Sequence, residues 1–351
     1  MNDYVNGMLR EMELRADRAG ERPTVPTLYL GGGTPSLLDA GQVGRLIDGT
    51  AKWFDLEGGA EITLEANPGT LAPESLAGYR QAGVNRLSIG IQSFNDRLLS
   101  VLGRIHSADE ARNSFALARK AGFDNVGIDL IHGLPGQTLS MWEEELRQAV
   151  ALAPEHISAY GLSIEEGTPL YAWERAGQLA LPEEESAVRM FELTTELLAA
   201  AGYEQYEISN FARAGCRSRH NQVYWRRENY FGFGAGAHSF LGNSAGGVRW
   251  HNTNDIASYL QLLAVGTLPE EERHELSRSV AMGEFLFLGL RLLEGVEIAR
   301  FNAEFGTSPL AAYPEVIPQL LEEGLLEMDN GRIRLGSRAI LLSNQVFMRF
   351  L

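Results

Sequence analysis

The stretch "LYLGGGTPSLL", residues 28–38, joins a short apolar run to three consecutive glycines, which Thr34 and Pro35 follow. Glycine is favoured where a chain makes a strained turn, or where the backbone lies directly against a ligand. In parallel α/β sheets, ligands bind at the carboxyl ends of the strands. The stretch therefore predicts a strand whose carboxyl end carries a binding site.

Similar apolar runs recur through the first half of the chain, beginning near residues 61, 86, 125 and 156. Helical patterns such as "SADEARNSFALARKAGF" separate them. Strands that alternate with helices at this spacing predict consecutive βα units and a parallel sheet, which is an α/β fold.

The pattern changes in the second half of the chain. A strand-like run, a loop rich in glycine and aromatic residues, and several helices precede a hairpin turn at Asp329–Asn330–Gly331. We therefore predict two domains, a βα domain over residues 1–205 and an α+β domain over 206–351 with a winged-helix-like end.

Composition limits the classes of function. The net charge of −16 argues against binding to nucleic acid, which needs a basic surface. The single cysteine, Cys216, allows no internal disulfide, and no uninterrupted apolar segment reaches the roughly 18 residues of a membrane span. These features predict a cytoplasmic protein that meets membranes only through a partner.

Polar residues follow or interrupt each apolar run where a parallel sheet would present them at one rim. Carboxylates suit an ammonium or ribose, and glycine amides bind a carboxylate, so the set predicts a small polar ligand. The alternative is that each residue caps a loop. The pattern matches neither the P-loop nor the dinucleotide-binding glycine motif. The residues are Gly31, Gly32, Gly33, Thr34, Glu65, Asn67, Gln92, Ser93, Asp129, His132, Gly133 and Ser163.

Longer motifs carry a resemblance to a known family. "GGGTPS", "ITLEANPGTL", "GVNRLSIGIQSFND", "GFDNVGIDLIHGLPGQT" and "HISAYGLSIEEGTPL" resemble the oxygen-independent coproporphyrinogen III oxidase-like branch of the radical SAM proteins. "SRHNQVYW" and "YFGFGAGAHSF" resemble its haem-chaperone subgroup. The resemblance implies a partial (β/α)6 barrel with a C-terminal domain, S-adenosylmethionine, a [4Fe–4S] cluster, and haem that is passed to an acceptor protein.

The resemblance also implies roles for individual residues. It adds Arg104, which the residue pattern alone favours as a surface ion pair, to seven of the rim residues as contacts of S-adenosylmethionine. The seven are Gly32, Gly33, Thr34, Glu65, Gln92, Asp129 and Ser163. From the residues alone, the HNxxYW motif favours a loop whose aromatic side chains pack into the core, with His220 hydrogen-bonded. The resemblance instead makes His220 an axial haem ligand, with Tyr224 and Trp225 against the porphyrin. His238 is a further haem candidate, whereas Cys216 is expected to be inert packing.

The chain departs from the family in one respect. The family holds its cluster with a CxxxCxxC motif that precedes the first helix, and this chain, with one cysteine, has no such motif. We expect a fragment or a misassigned start, without the first barrel strand, rather than a cluster-free relative.

Two other functions stay open. The first is an oxidase-type enzyme that decarboxylates porphyrinogen propionates. We expect this activity only of a longer parent protein of which this chain would be a fragment. The second is an unrelated α/β hydrolase or transferase, for which no nucleophile motif is present.

Overall fold

The computed structural model describes residues 1–20, 22–243 and 246–351. Its strands are β1 Thr24–Leu30, β2 Asp55–Ala66, β3 Arg86–Gln92, β4 Val126–His132, β5 His156–Gly161, β6 Glu204–Gln205, β7 Asn210–Ala212, β8 His238–Leu241, β9 Val248–Asn252, β10 Glu270–Glu275, β11 Val296–Glu297, β12 Leu326–Asp329 and β13 Arg332–Leu335.

The α-helices lie between these strands and beyond them. They are α1 Asn2–Ala19, α2 Ala40–Trp53, α3 Pro73–Ala82, α4 Asp96–Val101, α5 Ala108–Lys120, α6 Leu139–Leu152, α7 Pro169–Arg175, α8 Glu184–Ala200, α9 Arg219–Trp225, α10 Ile256–Ala264, α11 Arg278–Gly289, α12 Ile298–Phe305, α13 Pro309–Ala312, α14 Val316–Glu322 and α15 Ser343–Phe347. In the described ranges, no helix is both long enough and apolar enough to cross a membrane.

The chain forms two compact units. The first contains Met1–Thr27, Gly44–Ala60 and Ser218–Leu351, and the second contains Leu28–Val43 and Glu61–Arg217. The division of the chain at residue 205 into two sequential domains remains a prediction.

A seven-stranded sheet, ordered β1-β2-β3-β4-β5-β7-β6, confirms the predicted α/β class. Strands β2 to β5 pair in parallel, and Leu87 lies opposite Val126 in the register of β3 and β4. Both strands are buried almost throughout, because a parallel sheet is covered on both faces.

The sheet does not end with its parallel strands. Strand β7 pairs antiparallel with β5, and β6 pairs antiparallel with β7. The run "YEQYEISNFA" therefore extends this sheet through short antiparallel pairings, which the βα spacing did not predict, because β6 and β7 have two and three residues.

Two smaller sheets belong to the first unit, ordered β10-β9-β8 and β11-β13-β12. The predicted hairpin is confirmed, since β12 and β13 pair antiparallel across Asn330 and Gly331. Their φ angles of 49° and 75° are the left-handed pair that a two-residue hairpin turn requires.

Candidate functional site

The glycine turn after β1 is open and is tied to the end of β2. Gly32 and Gly33 have φ angles of 77° and 118°, and a Cβ on either would meet no atom within 4 Å. The Gly32 amide donates to Glu65 Oε2 at 3.2 Å, and the Tyr29 hydroxyl donates to Glu65 Oε1 at 2.6 Å. Glycine is needed for the backbone conformation, and open space lies where a side chain at either position would stand.

A second group links the ends of β2 and β3 to Arg104. Asn67 donates to Thr34 Oγ1 at 3.2 Å and accepts from Arg104 Nη2 at 3.2 Å. Arg104 Nη2 also donates to the Gly90 carbonyl at 3.1 Å. The alternative interpretation of Arg104 as a surface ion pair is therefore wrong: no ion pair with it occurs among the described residues, and burial lowers its pKa.

Gln92 adopts an unusual backbone conformation beside this group. Its φ angle is 67°, and the register of β3 against β4 shifts between Ile89 and Gln92. A Cβ on Gly90 would lie 2.9 Å from Gln92 Nε2 and 3.0 Å from Arg104 Nη2. Glycine at position 90 therefore makes room for both side chains.

Arg104 keeps an unused donor. Within the part of the chain that the structure describes, its buried Nε atom has no hydrogen-bond partner. Burying an unpaired donor is costly, so this nitrogen is suited to an acceptor from outside the protein. A guanidinium with a free N–H recognises a carboxylate well.

Asp129 and Ser163 differ in their surroundings. The Asp129 carboxylate accepts from Ser88 at 3.3 Å, with Ser158 on the neighbouring strand, and burial raises its pKa. Ser163 lies on an exposed segment and donates to Glu165 Oε1 at 2.6 Å. Hydrogen bonds thus join Gly32 to Glu65 and, through Asn67, join Thr34 to Arg104. Gln92 and Arg104 both approach Gly90, and hydrogen bonds within the described residues do not join Ser163 to either group.

Several residues of this region were not predicted as contacts. Tyr29 stands beside the predicted glycine turn in the motif "LYLGGG", and Asn67 was predicted at the rim but not as a contact of S-adenosylmethionine. Arg86 is 2% exposed at the start of β3, and its Nε atom has no hydrogen-bond partner in the described structure. The sequence feature that could have indicated Arg86 is a charged residue at the start of the apolar run "RLSIGIQ", because a charge in a buried strand needs a partner.

The HNxxYW motif forms most of the short helix α9. Ser218 caps it by accepting from the Asn221 amide at 3.2 Å. His220 and Tyr224 stand one turn apart on one face, and their rings meet edge to face with centroids 5.1 Å apart.

Trp225 lies apart from that pair, because one residue along a helix turns the side chain by about 100°. The Arg291 guanidinium stacks 4.3 Å from its ring centre. Trp225 also lines a cavity of about 370 Å³ with Arg226, Arg300 and Glu294.

His238 and Cys216 have separate surroundings. His238 is exposed on β8 and pairs across the strands with His251, with ring centroids 5.2 Å apart. Burial, and then the charge of His251, lower its pKa. Cys216 is half-buried, and burial raises the pKa of its thiol, which favours the unreactive protonated form.

Two family models match this chain. Residues 3–149 match the Radical SAM superfamily and residues 276–342 match the HemN C-terminal domain. The chain is 39% identical to the heme chaperone HemW of Bacillus subtilis, over 100% of this chain and 92% of that protein. The chain belongs to the heme chaperone HemW family.

A second HemW relative agrees with this assignment, and a solved structure shows the same fold. HemW of Escherichia coli is 37% identical over 93% of this chain and 83% of its own length. The solved structure of coproporphyrinogen III oxidase (HemN) from Escherichia coli superposes with a TM-score of 0.83 at 23% identity, over 99% of this chain and 82% of that one. The predicted radical SAM fold is thereby confirmed.

Proteins of the radical SAM superfamily carry S-adenosylmethionine and a [4Fe–4S] cluster. The open glycine turn, the unpaired Arg104 Nε atom and the Asp129 carboxylate fit the charged and polar groups of S-adenosylmethionine. The donor set does not fit the cluster, because Cys216 is the only cysteine and three thiolates are needed.

Proposed function

We propose that this protein is a haem chaperone, which binds haem and transfers it to acceptor proteins in the cytoplasm. The observation that carries the proposal is full-length similarity to relatives named heme chaperones, 39% identical over the whole chain. Helix α9 supports it, because it presents an imidazole beside the ring of Tyr224. The acidic chain makes nucleic acid an unsuitable partner.

On this proposal His220 is the iron ligand. Neutral imidazole is a common haem ligand, and apolar aromatic surface from Tyr224 and Trp225 adds contact with the porphyrin. His238 remains a secondary candidate, because its depressed pKa leaves a neutral ring at pH 7. Transfer then requires the iron to exchange His220 for a ligand of the acceptor.

The second unit supplies the proposed S-adenosylmethionine contacts. In radical SAM proteins this group supplies radical chemistry. Arg104 would bind its carboxylate, the amides of the Gly32–Gly33 turn would approach its methionine end, and Asp129 and Glu65 would accept from amine or hydroxyl groups. Thr34, Gln92 and Ser163 would complete the polar contacts.

An oxidase-type enzyme is the weaker candidate. The sequence identity to the coproporphyrinogen III oxidase structure is 23%, so this match supports a similar fold and nothing further. Product analysis after incubation with a porphyrinogen separates the two functions, since a chaperone leaves the propionate groups intact.

We expect His220→Ala to weaken haem binding at least about tenfold and to shift the Soret band, because the axial bond is lost while aromatic contacts remain. Absorbance titration with haemin measures both quantities. His274→Ala, which removes an exposed histidine of β10, is the matched control, and Cys216→Ala excludes a thiolate ligand. An unchanged affinity and spectrum for His220→Ala would refute the assignment of the ligand.

We expect Arg104→Met to reduce S-adenosylmethionine affinity about tenfold or more, because the cation that pairs with the ligand carboxylate is removed. Calorimetry on the purified protein measures this affinity. Arg112→Met is the control, since Arg112 pairs with exposed Asp109 on α5. Equal affinities of Arg104→Met and the unmutated protein would exclude Arg104 as a contact.

A further inference from the structure

Both ring nitrogens of His220 are engaged in hydrogen bonds. Nδ1 lies 2.9 Å from Thr27 Oγ1, and Nε2 lies 2.9 Å from the Tyr224 hydroxyl. A neutral imidazole has one N–H and one lone pair, so one of these nitrogens donates and the other accepts. Iron needs the lone pair, and binding must therefore displace one partner.

The geometry of the side chain decides which nitrogen serves iron. Nδ1 is bonded to the ring carbon that carries Cβ, whereas Nε2 lies on the far side of the ring, where a bound metal is less crowded by the main chain. With Nε2 as the ligand, Nδ1–H donates to Thr27 Oγ1, and the Tyr224 hydroxyl donates to Nε2. Metal-binding histidines commonly hold their second N–H in this way, which fixes the tautomer and the orientation of the ring.

Tyr224 can withdraw its hydroxyl without losing its packing. Its ring meets Tyr230 edge to face, with centroids 4.8 Å apart, in addition to its contact with His220. A small rotation of the phenol breaks one hydrogen bond while the aromatic contact with Tyr230 is kept.

We propose that Tyr224 is a reversible cap on the iron-binding nitrogen and that Thr27 is the positioning residue for the ring. The inference rests on the proposed haem-chaperone function. Haem iron and the Tyr224 proton compete for the same lone pair: the Fe–N bond forms as the O–H···N bond breaks, and the proton stays on the phenol oxygen. When an acceptor takes the iron, the phenol recaps Nε2 and disfavours recapture.

The cap predicts an uncommon result, in which deleting a side-chain group strengthens binding. Tyr224→Phe should raise haemin affinity about fivefold, with a Soret band that still depends on His220, and should slow haem transfer to apomyoglobin. Tyr230→Phe is the matched control, because it deletes a phenol hydroxyl one ring away.

The positioning role of Thr27 predicts the opposite change. Thr27→Val should lower haemin affinity about fivefold, whereas Thr27→Ser, which keeps the hydroxyl, should restore it. Thr24→Val, on the same strand with its hydroxyl 3.4 Å from Asp55, is the control for β1. Circular dichroism on each variant shows that the fold is retained.

The outcomes separate the inference from the proposed function. Haemin affinity that rises in Tyr224→Phe and falls in Thr27→Val supports both roles. If His220→Ala loses binding but Tyr224→Phe leaves it unchanged or weaker, the cap is overturned and His220 stands as the ligand. If His220→Ala binds haemin normally, the proposed haem site itself is wrong.

Discussion

Replacing Glu11 with alanine is expected to lower the free energy of unfolding by about 3–5 kcal/mol, the usual cost of breaking a buried ion pair. Glu11 is fully buried in α1 and accepts from Arg15 at 2.8 Å. It also accepts from Asn252 at 2.8 Å, from the Tyr259 hydroxyl at 2.8 Å and from the Gly234 amide at 3.0 Å. Alanine leaves all four donors without this acceptor.

Urea denaturation followed by circular dichroism measures this effect. Glu13→Ala is the control, because Glu13 is half-buried on the same helix and pairs with Arg10 one turn away, so its loss should change stability by about 0.5 kcal/mol or less. A loss below about 1 kcal/mol for Glu11→Ala would show that the network adds little to stability.

The Glu11 network also bears on the loop that leads into β8. Gly234 lies in the run "FGFGAGA", directly before His238, and its amide is one of the donors to Glu11. The Tyr4 hydroxyl accepts from the Ala235 amide at 2.9 Å. Helix α1 therefore holds this glycine-rich loop, and Glu11→Ala should increase amide hydrogen exchange at residues 231–237.

The second large effect concerns pH. Glu145 is 3% exposed on α6, and its Oε2 atom has no partner within the described ranges. Burial raises its pKa from 4.5 to about 7, although hydrogen bonds from Ser93 and the Phe94 amide oppose the shift. The folded protein therefore keeps a proton that the unfolded chain loses above about pH 4.5.

Stability should consequently fall as the pH rises from about 4.5 to about 7 and stay level above that range, because unfolding releases the proton. The contribution is about 3 kcal/mol, at about 1.4 kcal/mol per pH unit. We expect Glu145→Gln, which carries no titrating proton, to be more stable than the unmutated protein at pH 8 and close to it at pH 4.5.

Urea denaturation from pH 4.5 to pH 8 tests the expectation. Glu144→Gln, on the exposed side of the same helix, should follow the unmutated protein at every pH. A constant difference between Glu145→Gln and the unmutated protein across this range would mean that Glu145 ionises normally in the fold.

Much of the fold was predictable because its causes are local. The apolar runs of β3, β4 and β5 appear in the sequence near residues 86, 125 and 156, and the strands begin at Arg86, Val126 and His156. The turn at Asn330–Gly331 follows from the steric freedom of these two residues, which adopt φ angles that most side chains disfavour.

The candidate site was predictable only in part. Gly32, Glu65 and Asp129 could be predicted from their places in or after the apolar runs, because the carboxyl ends of parallel strands meet at one edge of a sheet. Arg104 was not visible in this way, since it follows α4 in a loop and reaches Asn67 only in the folded chain. The partner of a long, flexible side chain cannot be deduced from spacing along the sequence.

The sequence by itself determined the α/β class, the parallel core, the glycine turn and the identity of the motif residues, since these depend on neighbours a few positions apart. Tertiary structure alone decided that β7 joins the sheet antiparallel, that Glu11 meets Tyr259 across 248 positions, and that Thr27 meets His220 across 193. Such contacts depend on how distant segments of the chain pack together. Hydrophobic periodicity predicts local helices and strands, but it does not predict which distant polar groups become neighbours.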